Sequence, residues 1–180
     1  MNRTDHIKLM ATYNEWINIR LYEAAMTLTD DLLSANQKAF FGSILGTLNH
    51  LVVADTIWLK RFTTHPAKFT PLTVMHEHLM PTSLDQVLYT DIRRLWSQRK
   101  TLDAIILDWA NAVTESDLDY VFHYANMKGI ESDRNFYSIL LHFFNHQTHH
   151  RGQATTLLCQ QSVDVGVTDL LALIPNQARS

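Results

Sequence analysis

The sequence predicts an all-α helix bundle, and three observations carry that expectation. Four stretches repeat apolar residues at steps of three and four, the spacing that lines one face of an α-helix. Helix breakers are scarce, with five Gly and four Pro in 180 residues. Only one short segment, just before the last stretch, has strand character. Amphipathic helices in a chain of this size bury their apolar faces against one another and build their sites in the shared interior. Residues 1–180 therefore read as a single domain.

The first stretch places Met10, Tyr13, Ile17, Leu21, Ala24 and Leu28 on one stripe, and Thr29-Asp30-Asp31 ends it. A short connector follows, in which Ser34 and Gln37 have capping-box spacing. The second stretch carries Ile44, Leu48, Leu51, Asp55, Trp58 and Phe62. Pro66 and Pro71 then bound a loop, and the triplet His76-Glu77-His78 also lies in a Pro-bounded loop and is expected to be solvated rather than ligating. Ser83-Leu84-Asp85-Gln86 is a second capping box and is expected to open the third helix, through Leu84, Leu88, Ile92, Leu95, Leu102, Ile106, Trp109 and Val113. Between Leu118 and Glu131, the aromatic and β-branched residues Tyr120, Val121, Phe122 and Tyr124 precede Lys128-Gly129, which predicts a small hairpin insert. The fourth helix is expected from about Asp133 to Gln160, with Phe136, Leu140 and Phe143 on its buried side.

Bulk properties exclude several classes. A net charge of −3 without any basic run argues against nucleic-acid binding, which depends on Lys and Arg contacts to phosphate. The uncharged runs Ala39 to Ala54 and Asn135 to His150 contain His and Asn and are too short to span a bilayer, so no membrane association is expected. Cys159 is the single cysteine, so no intrachain disulfide can form. The opening residues lack the apolar core of a signal peptide. A cytoplasmic location is the expectation.

Chemistry concentrates in one place. Four of the ten histidines fall between His142 and His150, in a stretch that reads as helix. His146 and His150 are four apart, about 40° around the axis and 6 Å along it, so both imidazoles can reach one cation. Imidazole suits zinc, nickel, copper or iron. The third ligand expected is His50, whose helical neighbours Gly46, Thr47, Val53, Ala54 and Ile57 are small or apolar; they point the imidazole inward and would let a facing helix approach closely. Three nitrogen ligands leave coordination positions open, the layout of a catalytic rather than a closed structural site. His142 and His149 read as surface or satisfied groups, or as supports around the ligands. Gln147 follows His146 where a His-Glu-x-x-His protease would carry its base. No Glu-x-x-His occurs, which argues against a di-iron site. Cys159 lies about 180° around the helix from His150 and is expected to be a small packed thiol.

These blocks resemble the DinB family. The resemblance rests on Tyr13-Asn14-Glu15-Trp16-Ile17-Asn18 near the start, on Leu48-Asn49-His50 through Trp58, and on Phe144-Asn145-His146-Gln147-Thr148-His149-His150-Arg151-Gly152-Gln153, whose order and separation cover nearly the whole chain. It implies an up-down-down-up four-helix bundle with a long crossover between the second and third helices. It also implies a divalent metal ion, commonly zinc or nickel, on His50, His146 and His150, and a homodimer. The activity implied is transfer or activation of a low-molecular-weight thiol toward an electrophile; a metal-dependent hydrolase and a non-catalytic metal-binding bundle are the alternatives. No general base is evident: Asp55 and Glu15 are candidates, although Asp55 lies about 140° from His50 and reads equally as a helix-face carboxylate. Arg151 is a candidate for a thiol's carboxylate or for a salt bridge. Gln153 is a candidate for orienting a ligand. Tyr13 and Trp16 are expected to pack the core.

Overall fold

The computed structural model describes residues 2–176. Five α-helices appear among them: α1 (Arg3–Ala25), α2 (Asp30–Ser34), α3 (Ile44–Phe62), α4 (Ile92–Ala112) and α5 (Phe136–Gln160), with a two-stranded antiparallel sheet of β1 (Val121–Ala125) and β2 (Glu131–Asn135) between α4 and α5. Helix α1 packs against α4 and α5, and α3 packs against the same two helices. A 3-10 turn over Thr70–His76 fills the space beside α3 and α4 with Leu72 and Met75. No helix is long and apolar enough to cross a membrane among the described residues.

Each helix starts where a polar side chain can take the orphan N–H groups of the first turn. Asn2 and Asp5 form a reciprocal capping box on α1. Ser43 accepts from Gly46 N at the start of α3, and Asn135 accepts from Ser138 N at the start of α5. Lys60 and Arg61 sit in the last turn of α3, where cations complement the helix dipole. Almost every residue of α3 is buried because neighbours cover it on all sides. Around its C-terminal end Phe62, Trp109, Phe136 and Phe143 form an aromatic cluster, with Phe62 stacked on Trp109 at 5.0 Å.

Several boundaries differ from the sequence expectation. Helix α1 stops at Ala25, and Thr29 is the N-cap of α2, so Thr29-Asp30-Asp31 opens one helix rather than only closing another. Ser34 ends α2 instead of capping a helix, with its hydroxyl donating to the Asp30 carbonyl. Helix α4 begins at Ile92 under the cap of Asp91, not at Ser83. Asn49 explains the difference: its Oδ1 accepts from Leu88 N at 2.8 Å and Tyr89 N at 3.0 Å, and its Nδ2 donates to Tyr89 O at 2.9 Å. Those backbone groups are taken by a side chain of α3 and cannot continue a helix. The hairpin is present as expected, but its second strand runs through Asn135, because Asp133 pairs with His123 across the ladder at 2.8 Å. Asn135 then ties hairpin to helix by donating to Leu118 O while it caps α5.

Candidate metal centre

His50 projects from α3, and His146 and His150 from α5, to a common point. One ligand atom from each lies within 4.8 Å of the others. His50 Nε2 and His146 Nε2 are 3.3 Å apart. Two nitrogens that each stand about 2.0–2.1 Å from a tetrahedral ion are separated by about 3.3 Å, so the spacing fits shared coordination. The tautomers fit as well. His50 Nδ1 donates to the Leu84 carbonyl at 2.7 Å, and His150 Nδ1 donates to Gln153 Oε1 at 2.8 Å. Placing the proton on Nδ1 leaves the Nε2 lone pair facing the cluster, the arrangement that orients histidine ligands.

Charge works in the same direction. Burial lowers the pKa of His50 and of His150, and burial together with the neighbouring imidazoles takes His146 down to about 3. All three are neutral near pH 7, and neutral imidazole is the form that ligates. Phe41 closes one side of the cluster, stacked on His50 with ring centroids 3.8 Å apart and edge-on to His150 at 5.4 Å. Its position depends on Gly46. A Cβ there would meet the Phe41 carbonyl oxygen at 2.1 Å. The small residue thus admits the loop before α3 rather than a facing helix. Gly46→Ala is expected to push Phe41 off His50 and lower thermal stability by about 1–3 kcal/mol, as overpacking does; a variant with unchanged melting and unchanged His50 NMR shifts would contradict this.

The cluster opens on a cavity of about 400 Å³. His50 and His146 form its floor, Ala54, Ile57 and Trp58 its α3 wall, and Leu84 part of its rim. His142, set aside from the sequence, also lines this cavity, edge-on to Trp58 at 5.5 Å. Helical spacing from His146 was the signal that could have placed it there.

The remaining candidates lie elsewhere. Asp55 is buried beneath the cluster, accepting from Arg99 Nη1 at 2.5 Å and from Gln147 Nε2 at 2.8 Å, and so it faces away from the cavity as a counter-ion. Glu15 lines a separate groove with Trp96 and Lys100. Arg151 is 3% exposed, its guanidinium donating to Asn14 Oδ1 and lying over the Tyr13 ring, so it meets neither a ligand in the cavity nor a carboxylate partner among the described residues. Asn14 and Asn18 donate to Asp103, which also pairs with Arg99 at 3.0 Å, so the α1 motif serves a buried polar network. Gln153 does orient His150, and it also touches His149 at 3.2 Å. Tyr13 is buried as expected, with its hydroxyl donating to Thr168 O, while Trp16 is only half-buried. His76 and Glu77 are exposed, and the triplet is far from forming a ligand set with the cluster. Cys159 is exposed rather than packed, because the face of α5 opposite His150 meets solvent in the last turn.

The protonation of these histidines gives a stability prediction. Burial lowers His50, His65, His78, His142, His146 and His150. Their folded values lie below the unfolded value of about 6.5, so beneath that pH the unfolded chain takes up protons that the folded chain does not, and stability falls on acidification. Burial raises Asp103 to about 7 against the pull of Arg99, and the Asp133 carboxylate raises His123, so these two groups act in the opposite sense to the six lowered histidines. The urea midpoint of metal-free protein is therefore expected to hold above about pH 7 and decline between about pH 6.5 and 5. A flat or rising midpoint across that window would refute it.

Fold and cluster together define a class: a helical protein with three neutral imidazoles converging beside an open, mostly apolar cavity. A sequence model described as the DinB family matches residues 1–178 of the 180-residue chain. The chain belongs to the DinB family. No curated protein and no solved structure matches it at a significant level.

Proposed function

We propose that this protein is a metal-dependent enzyme that activates a low-molecular-weight thiol and joins it through its sulfur to an electrophile, with loss of the thiol proton. The observation that carries the reading is the cavity of about 400 Å³ that His50 and His146 of the three-histidine cluster line, since a purely structural ion is normally sealed by four protein ligands. His50, His146 and His150 would hold the ion, zinc or nickel by the family resemblance, since the imidazole donors by themselves also suit copper and iron. When bound, such a cation supplies Lewis acidity that lowers the pKa of a thiol ligand. The chain's own contribution is positional. Leu84 O and Gln153 Oε1 fix two imidazole planes, and Ala54, Ile57 and Trp58 keep the cavity wall apolar and limit water near the reacting sulfur.

Thiol chemistry is favoured over hydrolysis by the family resemblance. A three-histidine ion can also lower the pKa of a bound water and make hydroxide without a neighbouring carboxylate, so the donor set by itself serves either reaction. The up-down-down-up arrangement of a four-helix bundle, a homodimer and a cytoplasmic setting accompany this reading, in keeping with the family.

The test uses purified protein loaded with zinc or nickel, a panel of cytosolic thiols and a chromogenic aryl chloride. Conjugation is expected to require metal and to fall at least about 100-fold in His146→Ala, whose circular dichroism should match the parent. Absence of metal-dependent turnover across the panel would leave the non-catalytic metal-binding reading in its place. Retention of one ion per chain by His146→Ala would refute the ligand set itself.

A further inference from the structure

The face of α3 that forms the cavity wall runs His50, Ala54, Ile57, Trp58 and Arg61. Its two ends are eleven positions apart, about 16 Å along the helix axis. One end carries a metal-ligating imidazole and the other a guanidinium. The Arg61 guanidinium lies over Trp58 at 4.8 Å and over Tyr124 at 5.4 Å, and it makes no ion pair among the described residues. Both aromatic contacts hold its plane while leaving its N–H fork unused. A second cation, Lys128, stands on the hairpin turn at the rim of the same cavity. No acidic residue lines the cavity among the described residues, so nothing balances the two charges.

From this juxtaposition we infer that Arg61 is the anchor for a carboxylate, and that the cavity takes an elongated organic acid whose apolar body lies along Trp58 and Ile57 with its reacting end at the histidine cluster. The inference rests on the proposed function for the identity of that reacting end. An unpaired guanidinium pre-stacked on aromatic rings is well suited to bidentate capture of a planar carboxylate. Burial already works against the Arg61 charge, a cost that an incoming anion relieves. Lys128, exposed at the rim, adds attraction for anions approaching the cavity. Arg151, the arginine on the other helix of the site, is committed to Asn14 and leaves this role to Arg61.

Calorimetric titration with phenylbutanoate and with phenylbutanol, an uncharged probe of the same shape, tests the anchor on metal-free protein. Wild type is expected to bind the acid, with Arg61→Met weakening it at least about tenfold, the loss of one charge-assisted contact. Phenylbutanol should bind both proteins equally, because methionine keeps the apolar stem over Trp58. Arg61→Lys, which keeps the charge without the planar fork, should fall between. Equal binding of the acid to wild type and Arg61→Met would overturn the inference, as would an equal loss for acid and alcohol. Repeating the acid titration on metal-loaded protein with saturating mercaptoethanol separates two sources of the carboxylate: simultaneous binding assigns it to the electrophile, and mutual exclusion assigns it to the thiol, with Arg61 as anchor in both. Metal content of Arg61→Met should stay at the wild-type level. A failed anchor with intact metal binding is thus distinct from failure of the metal centre, which appears as absent metal in wild type.

Discussion

Replacing Asp55 by leucine is expected to remove about 3–5 kcal/mol of folding stability, the range for breaking a buried ion pair from one side. Asp55 and Arg99 are each 1% exposed, so water cannot take over for a missing partner. Arg99 would keep only Asp103, and Gln147 Nε2, on the helix that carries His146 and His150, would lose its acceptor. Against a typical total of about 5–15 kcal/mol, such a loss leaves the chain marginal. Urea denaturation followed by circular dichroism measures it directly. The double variant Asp55→Leu/Arg99→Met should recover a substantial part, because removing both charges also removes the stranded one. A single-variant cost below about 1 kcal/mol would show that the network is incidental to stability.

Asn49→Leu is expected to act on both stability and the metal centre. Its side chain amide satisfies Leu88 N, Tyr89 N and Tyr89 O, and it also returns a bond to Leu45 O at 2.9 Å. Losing these partners should cost about 2–4 kcal/mol, from roughly 1–3 kcal/mol per stranded group with some rescue by water. The same loop supplies the Leu84 carbonyl that holds His50 Nδ1. Releasing it should weaken metal binding about 10- to 100-fold, the usual effect of removing a ligand's hydrogen-bond support. Competition with a chromogenic chelator reads the affinity. Reduced stability with unchanged affinity would show that Leu84 O does not set the imidazole. Gln153→Ala provides the complementary measurement, since it releases His150 without disturbing that loop.

Much of this molecule is legible along the chain. Periodicity locates α3 and α5 to within a few residues and α1 near its C-terminal end, and the aromatic run before Gly129 marks the hairpin. The spacing of His146 and His150 puts them on one face of a helix before any fold is known. Local signals misplace α4 because Ser83 and Gln86 satisfy a capping rule that applies equally to turns: Gln86 Oε1 caps Thr82 N instead. Arg61 shows the same limit from the other side. Its place at the end of α3 reads as ordinary dipole compensation, and only the hairpin laid across it makes it part of a cavity.

The sequence by itself determined the helical character of the main segments and the candidate ligands, because each follows from residues that are neighbours or one turn apart. Tertiary structure alone decided that His50 meets His146, that a carbonyl from a distant loop sets its tautomer, and that Asp55 is a buried counter-ion instead of a base. The physical reason is that hydrogen-bond partners, desolvation and cavity walls come from residues far apart in the chain, and local periodicity carries no record of which faces will meet.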